Sequence, residues 1–365
     1  MRTTRKGIGL AIAGAAMLAL SLVQAGSANA TTPGRDGRIA FWDYMSGQIY
    51  AVNPDGRALV QLTHVAPGQT AADPSWSPDG RRVAFDSDVS GHVRLWIMAA
   101  SGEHAHRVAR DRRNAADFLP TYTPDGRRLV FSRCVGEACA IYSIRVDGTQ
   151  RRAITNLHAS VDDIHPSVSP DGRWIAFARS DFRGIISQVW VMRADGTDAH
   201  AVSPPSLEAF APTWSPDGRL IAFSSNCCRL NSRVYVMRPN GTGIRALTAT
   251  PFPNNDIQPA YAPQGDQIAF GSDRRYPDLC CVDLFRMRSN GTRQRLIHTG
   301  VKGVLNPSWG TAPLLSGTSS GASSASRATA ATALRRGGVW CQALPEALRV
   351  EERCPSLLRA SREAD

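Results

Sequence analysis

The apolar and polar positions of the chain repeat with a period of 46 or 47 residues. Each repeat opens with a proline, and a Pro-Asp-Gly turn follows four residues later, replaced by Pro-Gln-Gly in the last full copy. The opening prolines are Pro74, Pro120, Pro166, Pro212 and Pro259. Eleven residues after each of them an apolar triplet ends in a phenylalanine, at Phe85, Phe131, Phe177, Phe223 and Phe270. A position filled alike in every repeat is typical of a core shared by neighbouring repeats.

Within one repeat, the pattern predicts four short antiparallel strands. The Pro-Asp-Gly segment reverses the chain, because proline fixes φ and glycine accepts a positive φ. The strand after this turn runs, for example, through residues 82–85, and a third strand through residues 94–98. A second hairpin turn then leads into the fourth strand. These second turns begin at Asp55, Ser101, Asp147, Asp195, Asn240 and Asn290, each followed by glycine.

Six such repeats predict an all-β fold, a six-bladed β-propeller of four-stranded antiparallel blades. The sixth repeat is divided: residues 36–41, ending in Phe41, supply its second half, and residues 306–310 supply its first half. We therefore expect the N- and C-terminal strands to share one blade and to close the ring over residues 37–310. A linear solenoid is the alternative, but it needs capping repeats and would not divide one motif between two ends.

The segments outside the repeats have different compositions. Residues 1–30 predict a signal peptide, with three basic residues, an apolar run over residues 8–23 and a cleavage site after Ala30. The alternative is an uncleaved anchor, which needs about 20 apolar residues. No second apolar segment approaches that length, so we expect a secreted or periplasmic protein with no membrane span after cleavage. Residues 31–36 form a short lead-in, and residues 311–365 are predicted to be a flexible, low-complexity tail.

Export would allow the eight cysteines to pair, because oxidising compartments permit disulfides. We expect structural disulfides among Cys134, Cys139, Cys227, Cys228, Cys280, Cys281, Cys341 and Cys354. The first two bracket a loop between strands, which suggests a staple across a hairpin, and the two adjacent pairs lie in corresponding regions of consecutive blades. A redox-active adjacent pair is the alternative. No C-x-x-C spacing typical of zinc is found, so neither a metal nor another cofactor is predicted.

The formal net charge of +11 falls to +8 without the three leader cations, and it is carried almost wholly by arginine. The charge is spread along the chain, whereas nucleic-acid binding requires a basic stripe with interleaved aromatic residues. We therefore expect no nucleic-acid partner, and only weak attraction to acidic surfaces.

The segments of residues 76–85 and 214–223 carry a resemblance to a known family. They read Trp-Ser-Pro-Asp-Gly-Arg-Arg-Val-Ala-Phe and Trp-Ser-Pro-Asp-Gly-Arg-Leu-Ile-Ala-Phe, and they are similar to the TolB-type propeller repeat of exported bacterial proteins, a relative of the WD repeat. The resemblance covers about three quarters of the chain. It implies a propeller fold but no single function, because the family includes periplasmic scaffold proteins, propeller domains of serine peptidases and some lyases. TolB itself carries a separate α/β domain before its propeller, and only about seven residues stand there in this chain.

A propeller of this kind has two different faces. Both hairpin turns of each blade lie on one face, here called the hairpin-turn face, and they are nearly the same in every repeat. The connections between blades and the loops between second and third strands lie on the opposite face, here called the variable face. The variable face is the expected place for an asymmetric binding site.

Acidic residues precede the innermost strands on the variable face, and we expect them to gather round the mouth of the channel. They are Asp73, Asp117, Asp162, Asp163, Glu208 and Asp256, with His165 among them. Such a ring could bind a cation or a basic segment of a partner. The alternative is that each carboxylate accepts local backbone hydrogen bonds ahead of its proline. Arginines predicted on the same face are Arg112, Arg113, Arg183, Arg229, Arg274 and Arg275.

These observations predict an exported, non-catalytic binding or scaffold module that acts as a monomer on a protein or a cell-envelope polymer. A polysaccharide lyase or hydrolase is the alternative, with the acids and His165 as general acid and base at the channel mouth. No catalytic residue is assigned. The match of residues 317–321 to the G-x-S-x-G nucleophile motif is attributed to chance, because no histidine follows it.

Overall fold

The computed structural model describes residues 33–109, 115–158, 160–181, 187–226, 231–276 and 280–316. In these residues the chain forms six four-stranded antiparallel sheets arranged as the blades of a propeller. The only helical element described is a single 3-10 turn, Pro205–Leu207. The six-bladed, all-β prediction is confirmed.

The strands follow one another from the channel outwards in each blade. Blade 1 holds β24 (Val304–Trp309), β1 (Ile39–Asp43), β2 (Gln48–Val52) and β3 (Val60–Gln61). Blade 2 holds β4 (Ala71–Trp76), β5 (Arg82–Ser87), β6 (Arg94–Ala99) and β7 (His106–Arg107). Blade 3 holds β8 (Ala116–Tyr122), β9 (Arg128–Val135), β10 (Ala138–Arg145) and β11 (Arg152–Ala153).

The other three blades repeat this order. Blade 4 holds β12 (Val161–Val168), β13 (Trp174–Asp181), β14 (Ser187–Arg193) and β15 (His200–Ala201). Blade 5 holds β16 (Ala209–Trp214), β17 (Ile221–Ser225), β18 (Arg233–Met237) and β19 (Arg245–Ala246). Blade 6 holds β20 (Asp256–Tyr261), β21 (Gln267–Ser272), β22 (Asp283–Arg288) and β23 (Arg295–Leu296).

The ring closes through the two ends of the repeat array, as predicted. Strand β24 pairs antiparallel with β1, with Ile39 opposite Trp309 and Asp43 opposite Val304. The Trp309 indole N–H also donates to the carbonyl oxygen of Gly37 at 3.0 Å. Because β24 is the innermost strand of blade 1, this blade cannot form without both ends of the array.

The repeated phenylalanines form the core, one in each blade. All six are at most 3% exposed. Each lies opposite an aromatic residue on the third strand of its blade; Phe223 and Tyr235, for example, have ring centroids 5.8 Å apart. The apolar clusters run from one blade to the next, as where Phe223 packs with Val189 of blade 4. Burial of one phenylalanine contributes about 2–3 kcal/mol, so each blade is stabilised by packing against its neighbours.

Side chains within the Pro-Asp-Gly turn explain why the motif recurs. The Asp79 carboxylate accepts hydrogen bonds from the Ser77 hydroxyl at 2.6 Å and from the Arg81 N–H at 3.0 Å, while Gly80 has a φ of +67°. The same pair of bonds is made by Asp125, Asp171 and Asp217. The aspartate therefore stabilises a turn whose geometry glycine makes accessible.

The folded part of the chain extends beyond the boundary at Gly310 that the sequence predicts. The Ala312 side chain is fully buried, and its carbonyl oxygen accepts the Arg38 N–H at 3.1 Å. The Asn53 side chain donates to the Leu315 carbonyl oxygen at 2.9 Å and accepts the Leu315 N–H at 3.1 Å. Residues 311–315 are thus part of the propeller. The predicted signal peptide and residues 317–365 of the predicted tail lie outside the described residues.

One of the predicted disulfides is present. Cys134 and Cys139 face each other across β9 and β10 and are bonded, which confirms the hairpin staple. Cys281 is a buried free thiol, so the disulfide predicted for it is wrong. Cys227, Cys228, Cys341 and Cys354 lie outside the described residues.

Within the part of the chain that the structure describes, no helix has the length and apolarity needed to cross a lipid bilayer.

Candidate functional site

The innermost strands of the six blades contain the same irregularity, immediately before a proline. The residue before that proline has a positive φ, between +46° and +54°, and the pairing with the second strand shifts register there. The six residues are Asp73, Leu119, His165, Ala211, Gln258 and Asn306. Left-handed backbone costs a residue other than glycine about 1 kcal/mol or more, and such strain is often found at functional sites.

The proline accounts for this bulge. Proline has no N–H to donate to the ladder, so within sheets it is found on edge strands and at bulges. The innermost strand is an edge strand, and the bulge there directs the preceding side chain towards the axis. The six residues and their prolines line a central cavity of about 130 Å³.

The wall of this cavity has a polar side and a less polar side. Blades 6, 1 and 2 contribute Gln258, Asn306 and Asp73, which are joined by hydrogen bonds. The Asn306 N–H donates to the Gln258 side-chain oxygen at 2.9 Å, and the Asn306 amide donates to the Asp73 carboxylate. On the other side, His165 lies between Leu119 and Ala211 in ring order.

Asp73 shares its polar environment with Asp86, a buried residue of β5. The two carboxyl groups are hydrogen bonded to each other, and the Leu119 N–H donates to Asp86 at 3.1 Å. Burial raises the pKa of Asp73 to about 6, and burial together with the Asp73 charge raises the pKa of Asp86 well above its usual value. Two carboxyl groups this close do not readily ionise together, so the pair retains a proton near neutral pH.

His165 is neutral at physiological pH. Burial lowers its pKa to about 4, because desolvation disfavours the imidazolium form. Its Nδ1 atom is buried and has no hydrogen-bond partner among the described residues. The cavity is therefore lined by one carboxyl group of the pair, that of Asp73, by an amide network and by a neutral imidazole.

Three of the predicted acids do not face this cavity, because each is paired with an arginine. Arg133 contacts Asp117 at 2.8 Å, Arg179 contacts Asp163 at 2.6 and 2.8 Å, and Arg274 contacts Asp256 at 2.7 Å. All three carboxylates are buried. The guanidinium groups also lie over aromatic rings, and that of Arg179 is 4.4 Å from the Trp190 ring centroid. These acids are neutralised within their own blades.

The remaining predicted residues have other positions. Asp162 accepts the Cys139 N–H at 3.0 Å and so links blade 4 to the hairpin of blade 3. Glu208 ends the 3-10 turn, where its N–H donates to the Pro205 carbonyl oxygen. Arg275 is exposed and contacts Asp283 at 3.0 Å. Arg112, Arg113, Arg183 and Arg229 lie outside the described residues.

The structure therefore differs from the expected single ring: of the seven predicted residues, only Asp73 and His165 line the cavity. The seven stand one, three or four positions before their prolines, and the bulge directs towards the cavity only the residue immediately before the proline. Reasoning from the sequence also missed Gln258, Asn306 and Asp86. Gln258 and Asn306 could have been found by comparing the residue immediately before the opening proline in all six repeats.

In the part of the chain that the structure describes, no three His, Cys, Asp or Glu side chains come together in an arrangement that could hold a metal ion.

Large apolar side chains are exposed on the variable face. Met45, in a loop between second and third strands, is 62% exposed, and Val135, the last residue of β9 before such a loop, is 44% exposed. Phe252 and Leu157, in connections between blades, are 63% and 38% exposed. On the hairpin-turn face, the exposed large apolar residues that the structure describes are Leu314 and Leu315.

Comparison with known proteins supports the fold. No protein-family model matches the sequence, and no curated protein matches it. The structure is similar to that of TolB from Acinetobacter baumannii, with a TM-score of 0.61 and 19% identity over 75% of this chain and 66% of that chain. It is also similar to a putative TolB from Agrobacterium tumefaciens, with a TM-score of 0.56 and 20% identity over 72% of this chain and 89% of that one. A chain of a nidogen/laminin complex gives a TM-score of 0.58 at 11% identity, over 76% of this chain and 99% of that one. The repeat, the closed ring and these likenesses show that the chain has the TolB-like, six-bladed β-propeller fold.

Proposed function

We propose that this protein is an exported binding module, not an enzyme, that docks a protein partner on its variable face. The observation that carries the proposal is the exposure of Met45, Val135, Leu157 and Phe252 on that face. Methionine and aromatic residues are enriched at protein interfaces. Of the six exposed large apolar residues that the structure describes, four lie on this face, including the methionine and the phenylalanine, and two lie on the other.

The buried acids support the same proposal. A ring of open carboxylates would favour a cation or a basic peptide, but the carboxylates of Asp117, Asp163 and Asp256 are paired with arginines of their own blades. Recognition on the variable face therefore depends on apolar side chains and on loops that differ from blade to blade. A rigid propeller that holds such loops is well suited to binding, because few groups need to be ordered when the partner arrives.

Site-specific crosslinking tests this proposal. A photo-reactive amino acid at position 45 or 252 of the secreted protein should yield one crosslinked partner, whereas the same probe at position 314 should not. Leu314 is a matched control, because it is 54% exposed but lies on the hairpin-turn face. The purified partner should then bind the variant Met45→Ser/Phe252→Ser at least tenfold more weakly than the wild type, with no change for Leu314→Ser. Equal crosslinking from both faces, or equal affinities, would contradict the proposal.

Export is part of the same proposal. The basic, apolar and small-residue segments of residues 1–30 support cleavage after Ala30. Mass spectrometry of the protein from periplasmic or culture fractions should give an N-terminus at Thr31. An intact leader, or a protein found in the cytoplasm, would contradict this.

Acid–base chemistry in the central cavity is the second candidate function. It is favoured by Asp73, whose pKa is raised to about 6 at a position that lines the cavity. The cavity of about 130 Å³ is small for a sugar ring, since ligand pockets usually measure about 300–1,000 Å³. Turnover of acidic polysaccharides by the wild type, abolished by Asp73→Asn, would favour this function over binding alone.

A further inference from the structure

An arginine cluster lies on the hairpin-turn face of blade 3, away from the variable face. A cavity of about 430 Å³ there is lined by Arg128, Gln150, Arg151 and Arg152. Three of these four side chains are guanidinium groups, and the fourth is an uncharged amide. A fourth arginine, Arg145, lies directly opposite Arg128 across β9 and β10.

The contacts in this cluster bring like charges together. The Arg128 Nη2 atom donates to the Ser143 hydroxyl at 3.1 Å, and the Arg152 Nε atom donates to the same oxygen at 3.3 Å. These two nitrogens are therefore at most 6.4 Å apart, the sum of the two distances. The Nε atom of Arg128 is buried and has no hydrogen-bond partner among the described residues.

Nearby carboxylates do not remove this repulsion. Asp147 contacts Arg145 at 3.2 Å, and both side chains are about half exposed. Burial lowers the pKa of Arg128, the charges of Arg152 and Arg145 lower it further, and Asp125 and Asp147 act in the opposite direction more weakly. A cluster of like-charged cations is stabilised when an anion binds.

Corresponding positions in the other blades lack this combination. Blade 2 has Arg82 in the place of Arg128, but Ala99 lies opposite it where blade 3 has Arg145. In blades 4, 5 and 6 the place of Arg128 is taken by Trp174, Leu220 and Gln267. Blades 5 and 6 have Arg245 and Arg295 in the place of Arg152, but neither has an arginine at the position of Arg128. The cluster is thus a feature of blade 3 and not a product of the repeat.

The surrounding face indicates the kind of anion. Arginine follows the Pro-Asp-Gly turn in four consecutive blades, and all four side chains, Arg81, Arg127, Arg173 and Arg219, are exposed. A single small ion could contact only the cluster, whereas an extended polyanion could follow these charges from blade to blade. Guanidinium groups bind phosphate oxygens through paired hydrogen bonds, and three of them offer more donors than the two oxygens of a carboxylate can accept.

We propose that the arginine cluster of blade 3 binds a phosphate group of a linear, phosphate-bearing polymer. The hairpin-turn face would then hold the propeller on this polymer while the variable face remains open to a partner. This surface is separate from the one under Proposed function, so either can fail without the other.

Titration of the secreted protein with long-chain inorganic polyphosphate tests the proposal. The variant Arg152→Gln should bind about tenfold more weakly than the wild type at the same salt concentration. The matched control is Arg245→Gln, which removes the same charge from the same strand position of blade 5, and its affinity should change less than twofold. Equal losses in the two variants would overturn the proposal, because they would show a diffuse charge effect without a site.

Melting temperature separates this role from a structural one. Polyphosphate should raise the melting temperature of the wild type, since a ligand that binds the folded state stabilises it. Without polyphosphate, Arg152→Gln should melt at or above the wild-type temperature because a repulsion is removed; a lower temperature would show that Arg152 is structural and would overturn the proposal.

Two further probes identify the source of the phosphate. Orthophosphate at the same phosphate concentration should bind at least tenfold more weakly than polyphosphate. Equal binding would show a site for a free phosphate ion and would overturn the proposal that the ligand is a polymer. Binding to phosphatidylglycerol vesicles but not to polyphosphate would show a membrane surface and would overturn it as well.

Discussion

The ion pair between Asp163 and Arg179 provides a sharp test of whether the buried acids hold the fold or form a binding site. The substitution Asp163→Asn removes one charge and changes little else in shape. If these acids formed an open binding ring, the substitution would weaken binding and leave stability unchanged. In the structure Asp163 is 1% exposed and makes two bonds to Arg179, of 2.6 and 2.8 Å. We therefore expect a loss of stability.

The size of this loss follows from the burial of the two partners. Removing one partner of a buried ion pair costs about 3–5 kcal/mol. Arg179 is 23% exposed and stays over the Trp190 ring, so its charge retains some solvation and the lower figure applies. The entropy of unfolding is about 2.1 cal/mol/K per residue, or about 0.6 kcal/mol/K for roughly 280 residues. A loss of about 3 kcal/mol then lowers the melting temperature by about 5 °C.

Thermal unfolding followed by circular dichroism measures the effect at pH 7. The control is Glu137→Gln, which removes one negative charge from an exposed loop residue of the variable face and should change stability by less than about 0.5 kcal/mol. A double-mutant cycle with Arg179→Met should show that the two effects are not additive. A melting temperature for Asp163→Asn within 1 °C of the wild type would refute the structural role argued here.

Four other predictions follow from the described contacts. Because the pKa of Asp86 is raised in the folded state, stability is lost as pH rises through that pKa. Asp86→Asn should therefore reduce the fall in unfolding free energy between pH 5 and 8, and an unchanged slope would count against a shared proton with Asp73. The lowered pKa of His165 has the opposite effect on the free energy of unfolding, which falls as pH falls from 6.5 to 4. His165→Gln should reduce this loss of stability, as measured by urea denaturation. A chain ending at Gly310 should be about 2 kcal/mol less stable than one ending six residues later, because it lacks the buried Ala312 and its hydrogen bonds; equal stability would show that this segment is not needed. Replacing both cysteines of the β9–β10 disulfide by serine should cost about 2 kcal/mol, measured in the same way, and no change would show that the strands need no staple.

The fold could be predicted because its determinants are local and repeated. The Pro-Asp-Gly turn, the buried phenylalanine and the second glycine turn each specify one step of a blade, and six copies confirm one another. Closure could be predicted as well, because the halves of one motif stand at opposite ends of the array. The pairing of the strands that contain Ile39 and Trp309 follows from the division of this motif between the two ends.

The end of the folded region was harder to predict, because composition conceals it. Residues 311–315 are small or apolar and precede a serine- and alanine-rich stretch, which is typical of an unstructured tail. In the structure this segment packs closely against the start of the propeller: a β-carbon added at Gly37 would lie 2.1 Å from the Ala312 carbonyl oxygen. A low-complexity pattern cannot distinguish a segment that packs closely from one that does not pack.

The acidic residues illustrate a different difficulty. Asp73 and Asp163 stand two positions apart in the repeat, and the sequence alone treats both as acids before an inner strand. The bulge before each proline directs the first towards the cavity, while the second pairs with Arg179 on the neighbouring strand. The partner arginines lie 16 residues away for Asp117 and Asp163 and 18 for Asp256, and the pairing becomes evident only when the register of the two strands is known.

The central cavity shows why the fold of this protein is easier to predict from the sequence than its site. The backbone at the six positions before the prolines is nearly identical, with φ values within 8° of one another, yet the side chains are a carboxyl, an imidazole, two amides and two apolar groups. The bulge is set by proline and by the ring, so the side chain that precedes it is free to differ without altering the blade. Chemistry in the cavity is therefore set by six independent choices on a common scaffold. A repeat pattern identifies the scaffold because it contains only the features that all repeats share. For the same reason it gives no information on the positions at which the repeats differ.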